Sequence, residues 1–163
     1  ASSWIGAVSR SGGILQVVST TKTDTSAITS TTPVDITGAS VSITPSSTNS
    51  KIMVVFDVVY NGSSALTVGT QLLRDTTVIG GGAVVGSRSS SISLVTVTGQ
   101  NLGAQASGSF LDSPNTTSTV TYSLKTFAPS GTIYVGRGHF DIDNAGANNS
   151  RTPASITVME IAG

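Results

Sequence analysis

No stretch of this 163-residue chain keeps an apolar helical period long enough to cover a parallel sheet, whereas short runs repeatedly alternate apolar with polar residues. Residues 51–60 are the best core segment. There Ile52, Val54, Phe56, Val58 and Tyr60 fall on one face and Met53, Val55 and Val59 on the other, the pattern of a central strand covered on both sides. Val41 and Ile43 alternate with Ser40, Ser42 and Thr44 ahead of Pro45-Ser46-Ser47-Thr48-Asn49-Ser50, a half-buried strand followed by a turn. Residues 14–18 open the series, and residues 20–32 read as a polar strand or loop.

The second half continues in the same way. Residues 68–74 and Val78-Ile79 flank Asp75-Thr76-Thr77 as a hairpin, and residues 92–98 and 105–111 are single strands. Val120, Tyr122 and Leu124 alternate with Thr121, Ser123 and Lys125, and residues 132–135 answer them across Ala128-Pro129-Ser130-Gly131 as a second hairpin. Residues 155–161 close the chain. Some eight to ten short strands punctuated by Gly, Pro and Asn predict an all-β fold, a jelly-roll-like antiparallel β-sandwich at residues 14–163. The strand count favours a jelly roll over an immunoglobulin-like sandwich, but periodicity does not fix the order of pairing. Residues 1–13, with Trp4 and Ile5 followed by Ser9, Ser11, Gly12 and Gly13, read as a short N-terminal arm.

Composition agrees and excludes several kinds of partner. The chain holds 27 Ser and 24 Thr but only 10% charged residues. Thr suits a half-buried pleated surface and Ser suits turns, while a surface solvated by hydroxyls rather than charges is easily desolvated in assembly. Eight basic residues balance eight acidic ones and are scattered, so no electrostatic footprint for nucleic acid or a membrane is present. The absence of cysteine removes disulfides and thiolate chemistry. No apolar run approaches the roughly 20 residues of a membrane span, and residues 1–10 lack the pattern of a secretory signal.

Little in the chain supports catalysis, so the expectation is a protein that is not an enzyme and takes no cofactor. His139 is the single histidine and no G-x-S-x-G elbow accompanies it. Asp141, Asp143 and Asn144 resemble the start of a calcium loop, yet Ala145 takes the third ligand place and Thr152 stands where the closing Glu belongs, which excludes a calcium hand. A looser calcium site in a β-loop stands beside the reading that Asp, Asn and Gly simply build a long turn. Asp57, Asp112, Asp141 and Asp143 form the pool for a glycosidase pair, but nothing nominates two of them. Asp112, ahead of Ser113-Pro114, suits turn bonding, and Asp57 suits an ion pair with Arg74 or Arg88. Gly80-Gly81-Gly82 lacks the Lys-Ser/Thr of a phosphate loop. Most of the aromatic residues sit at core-like alternating positions.

Four segments carry a resemblance. They are residues 15–24 (LQVVSTTKTD), residues 41–52 (VSITPSS leading into SKI), Phe110-Leu111-Asp112-Ser113-Pro114, and residues 156–163 (ITVMEIAG). In this order and spacing the chain resembles a widespread set of tailed-phage proteins, frequent in cyanophages and marine phages, of tail-fibre or structural type. The resemblance implies a jelly-roll component of the virion's outer surface, generally a homo-oligomer and by likeness a trimer, with no catalytic residue to carry across. In long relatives the module looks like the head of a fibre, but no shaft, coiled coil or collagen-like segment precedes it here. The expectation is therefore a capsid decoration or cement protein that contacts the major capsid protein, other virion proteins and its own copies. Trp4 and Ile5 would anchor it to the shell or to a neighbouring copy. The alternative is a receptor-binding tail-fibre head that recognises host surface glycans through residues 80–91 and 141–151.

Overall fold

A computed structural model describes residues 12–163. Eleven strands follow in order: β1 (Ile14–Lys22), β2 (Ser26–Ile28), β3 (Val34–Ile43), β4 (Lys51–Gly62), β5 (Leu66–Arg74), β6 (Thr77–Ile79), β7 (Ser93–Val97), β8 (Ala104–Asp112), β9 (Val120–Phe127), β10 (Ile133–Val135) and β11 (Ala154–Ile161). A single 3-10 turn (Ala147–Asn149) interrupts the loop between β10 and β11.

The pairing resolves these into an eight-line jelly roll. β4 pairs with β8 along one edge, and its other edge carries β11 at one end and β10 at the other. β1 lies against β11 and β2 against β10, so β1 and β2 are two parts of one broken edge strand, as are β10 and β11 in the line beside it. β6 and β7 likewise share one edge of β5. Counted in this way, the first sheet has the order 1-8-3-6 and the second 2-7-4-5, all antiparallel. Every line neighbours the one that completes nine with it, as when a long hairpin is rolled into two sheets.

Alternation within strands makes the core. Ile52, Val54, Phe56, Val58 and Tyr60 of β4 face inward together with Ile156 and Val158 of β11, and meet Tyr122 and Leu124 of β9 and Val68 and Leu72 of β5. Phe56 stands opposite Gly108 on β8 and its ring fills the space a side chain there would take: a Cβ on Gly108 would fall 2.7 Å from the ring. Phe127 lies on Gly69 across the β5–β9 pair in the same manner.

The architecture departs from the sequence reading in several places. The segments at residues 120–125 and 132–135 do not form a hairpin: β9 pairs with β3 and β5 in the second sheet, whereas β10 pairs with β4 and β2 in the first. The turn at residues 128–131 carries the chain between sheets rather than back along one. Secondly, β4 is covered on one side only. Its second apolar face, including Val55 at 40% exposure, is the outer face of the first sheet. Thirdly, Asp57 accepts a hydrogen bond from Gln105 instead of meeting an arginine, and Arg74 pairs with Asp112. The hairpin of β5 and β6 about Asp75, which takes a left-handed φ of 52°, follows the sequence reading.

Candidate functional site

Two surface features stand out from the sandwich, and both belong to the first sheet. The first is an apolar row. Register places Val17 opposite Met159, Met159 opposite Met53, and Met53 opposite Leu111, so one apolar side chain from each of the four lines aligns on the outer face. Val17 is 57% exposed and Leu111 49%. A bulge between Ile14 and Gln16 turns the consecutive Ile14 and Leu15 outward beside this row. Further along the sheet the rows become polar. Ser19, Thr157, Val55 and Ser109 come next, then Thr21, Ser155, Asp57 and Ser107, and Ser19 and Thr157 share a hydroxyl hydrogen bond of 2.8 Å. Of these three rows, the one nearest the end where β1 begins is apolar throughout.

The second feature is the excursion at residues 136–153, which leaves the line where β10 stops and returns where β11 starts. Tyr60 faces Val135 and Asp57 faces Ser155, so the interruption spans only two residues of β4. The Thr152 N–H donates to the Gly136 carbonyl at 3.3 Å and closes the neck. Gly136 has a φ of +76°, and a Cβ there would lie 3.1 Å from the carbonyl oxygens of both Asp24 and Thr152, so a side chain at this position is both strained and crowded. Opposite Gly136, residues 23–25 break the edge strand at the same level. The excursion reaches the loop between β7 and β8, where the Phe140 N–H donates to Asn101 Oδ1 at 3.3 Å.

Inside the excursion the polar groups satisfy one another. The Arg137 guanidinium stacks over Tyr134 at 4.2 Å and donates to the carbonyls of Gly138 and His139. Asp141 lies between Arg151 at 2.6 Å and Arg137 at 3.8 Å. Asn144 Oδ1 accepts from the Gly146 N–H and from Asn149 Nδ2. Both oxygens of Asp141 therefore face guanidinium groups, and the oxygen of Asn144 is occupied in building a turn. Among the described residues no group of three or more His, Asp or Glu is placed to hold a metal ion.

His139 packs between Tyr134 and Phe140, its ring 5.3 Å and 4.6 Å from theirs, and its buried Nδ1 has no hydrogen-bond partner among the described residues. Among the described residues no carboxylate hydrogen-bonds to it, as the base of a triad requires. Three of the four aspartates raised as a glycosidase pool are engaged in other roles, Asp57 with Gln105, Asp112 with Arg74 and Tyr122, and Asp141 with two arginines, while Asp143 is exposed. Asp112 in particular is a sheet-to-sheet tie rather than a turn-former. Of the surface concavities, one is lined by Thr29, Ser30, Thr31, Ala128, Ser130 and Gly131 with no titratable side chain, and another by Thr23, Arg151, Thr152 and Pro153.

Trp4 and Ile5, the anchor expected from the sequence, lie outside the described residues. Gly12 and Gly13 are described. The Gly12 N–H donates to the Ala162 carbonyl and the Ala162 N–H to the Gly13 carbonyl, both at 2.8 Å, which carries the pairing of β1 and β11 to the end of the sheet beside the apolar row. The row itself escaped the sequence reading, although the signal was present in the second apolar face of residues 51–60. Likewise Tyr134 of β10 and Phe140 of the excursion pack on His139 and are not part of the core, with Phe140 55% exposed.

No family model matches the sequence, and no curated protein matches it. Solved structures from infectious bursal disease virus align with the chain at low identity. The chain from the icosahedral particle of infectious bursal disease virus aligns at 15% identity and a TM-score of 0.45, over 91% of this chain and 36% of that one. The Gx strain of the same virus gives 15% identity and a TM-score of 0.46 over 91% and 37%. A mutant VP2 protein in T=1 particles gives 12% and 0.40 over 90% and 36%. This chain spans just over a third of the length of each of these neighbours.

Proposed function

We propose that the chain is a non-enzymatic structural protein of a bacteriophage virion, a capsid decoration or cement protein that binds the particle's outer surface together with copies of itself. The observation that carries this reading is the apolar row across all four lines of one sheet, on a chain rich in Ser and Thr with only 10% charged residues. Desolvating such a face costs little and gains roughly 25 cal/mol for each Å² of apolar surface removed from water. Multiple contacts on a lattice then add by avidity without any active site. The jelly roll supplies the rigid platform, and the resemblance of residues 15–24, 41–52, 110–114 and 156–163 to tailed-phage proteins supplies the particle. Trp4 and Ile5 serve as the anchor.

The second reading is a tail-fibre head that binds host surface glycans. It is favoured by one specific feature, the excursion at residues 136–153, where exposed Phe140 and Ile142 stand beside Arg137, Asp141 and Arg151. Apolar platforms next to fixed polar groups are the usual furniture of sugar recognition. An imaging reconstruction of the virion, compared with particles lacking the gene, separates the two. Density spread over the capsid lattice supports decoration, density confined to the tail supports the fibre head, and no difference between the particles overturns both.

A further inference from the structure

We propose that the apolar end of the first sheet's outer face is the seat for residues 1–11 of a second copy of this chain, with Trp4 and Ile5 laid across Val17, Met159, Met53 and Leu111. This deepens the self-assembling part of the function proposed above and rests on it. Three observations carry the inference.

The seat and the segment match in chemistry and in place. Residues 1–11 hold Trp4, Ile5, Ala7 and Val8 with a single charge, Arg10. The seat is the one end of the outer face where a complete row is apolar, and the segment departs from that same end, because Gly12 and Gly13 pair with Ala162 beyond the last residues of β1 and β11. A row four strands wide measures about 14 Å, the product of three strand spacings, whereas an extended segment reaches about 3.3 Å per residue. Residues 4–11 are therefore long enough to cross a whole seat on a neighbour.

Register argues against the segment's own sheet as its seat. Gly12 has a left-handed φ of +84°, so a fold-back at Gly12 and Gly13 is sterically open. Such a turn would lay the segment beside β1 as a further edge strand, with Val8 next to Val17, Ile5 next to Thr20 and Trp4 next to Thr21, counting outward equally from the turn. Trp4 would then extend the row of Thr21, Ser155, Asp57 and Ser107, which is polar throughout, and the apolar row would receive only the small Val8. A segment arriving from another copy is free of this constraint.

Size sets the expected strength. Trp buries about 150–250 Å² and the whole segment a few hundred, less than the roughly 1,200 Å² of a stable interface. One arm on one seat is weak, and copies that each give an arm and receive one hold together through reciprocal contacts.

Trp4 is the only tryptophan in the chain, so its emission reports its own surroundings. The test follows Trp4 emission and mass by sedimentation for the purified full chain across a dilution series. Emission should be blue-shifted while copies associate and move to the red as they separate, with one midpoint for both signals. Val17→Lys on the exposed row should weaken association about tenfold or more and leave Trp4 in water, with the circular dichroism of the sandwich unchanged. Mixing Val17→Lys, which keeps its arm, with a large molar excess of Trp4→Ala, which keeps its seat and carries no tryptophan of its own, should restore the blue shift, because the excess drives even a single arm onto a seat. Emission that stays blue in the monomer at every dilution assigns the seat to the same copy and overturns the proposal. Emission that stays red at every concentration, or a mixture that fails to restore the shift, overturns it too. Because the measurement uses no virion, its failure is distinct from a failure to find the chain on the capsid.

Discussion

Arg74 on β5 donates to both carboxylate oxygens of Asp112 on β8, 2.9 Å from each, and so ties the second sheet to the first at the end where the β3–β4 and β8–β9 turns lie. The same carboxylate accepts the Tyr122 hydroxyl at 2.7 Å from within the core. Burial, followed by this hydrogen bond, pushes the Tyr122 phenol far above its ordinary range. Removing the carboxylate leaves a buried hydroxyl and a partly buried cation without their acceptor. Asp112→Ala should therefore cost about 2–4 kcal/mol, and Arg74→Met less, since the guanidinium is partly solvated and its methylene stem is retained in the variant. Urea unfolding of the two variants measures both; equal costs would show that Tyr122 gains nothing from Asp112.

Glu160 predicts how stability responds to acid. It is fully buried on β11, where it accepts from the Ser46 hydroxyl at 2.6 Å, the Ser46 N–H at 2.7 Å and Gln16 Nε2 at 2.6 Å. Burial alone would raise its pKa, but these donors outweigh it and hold the group at about 2, below an ordinary value of 4.5. A depressed folded pKa means that the unfolded chain takes up the proton first as pH falls. The contribution of Glu160 is then complete above pH 4.5 and is lost between there and about pH 2. Its upper bound is about 3 kcal/mol, from 1.36 kcal/mol per pKa unit. Denaturant midpoints of the wild type and Glu160→Gln should differ at neutral pH and converge toward pH 2. A gap that does not change with pH would show that the variant acts through packing instead.

The contact of Phe56 with Gly108 should tolerate no side chain on the glycine. Gly108→Val drives a branched Cβ into the ring and should destabilise the sandwich by about 1–3 kcal/mol, seen as a lower melting temperature in calorimetry. Adding Phe56→Leu should recover part of the loss, because it clears the space the new methyl groups need. If the double variant is worse than the sum of the singles, the ring is not what excludes the side chain.

The excursion should be removable. Val135 faces Tyr60, and β11 begins at the level of Val58, so a single residue bridges the gap that residues 136–153 now leave and return across. Replacing those residues with one glycine should give a folded sandwich with an unbroken line beside β4, checked by circular dichroism and melting. Such a variant should still decorate capsids if the outer face is the working surface, and should lose host-cell binding if the fibre-head reading holds.

Much of this arrangement could be read from local pattern alone. The alternation from Ile52 to Tyr60 defines β4, and Asp75-Thr76-Thr77 marks the hairpin that follows β5. Partners far apart in the chain could not be read: nothing near Arg74 or Asp112 announces the other, and nothing in Ala128-Pro129-Ser130-Gly131 distinguishes a turn within a sheet from a crossing between sheets. Residues 34–40 are not legible as one strand, because the alternation of Val34 and Ile36 with Asp35 and Thr37 breaks at Gly38, in the stretch where the β3–β9 ladder shifts register. The second apolar face of β4 was legible as apolar but not as exposed, because sequence shows the need for a cover and not whether the same chain provides it. The Asp141 to Asn144 run illustrates the reverse case, where residue types suited to a cation are spent on Arg137, Arg151 and the turn itself.

The pairing of Gly12 and Gly13 with Ala162 means that the roll is entered and left through one doorway. A module of this shape can be spliced into a surface loop of another protein while the two sides of that loop stay a few ångströms apart, so the host needs no rebuilding to carry it. For the same reason, joining residue 163 to residue 12 through a short linker and cutting the chain within residues 136–153 should give a circular permutant with every strand still beside its present neighbour, displaying its new ends on the opposite part of the sheet.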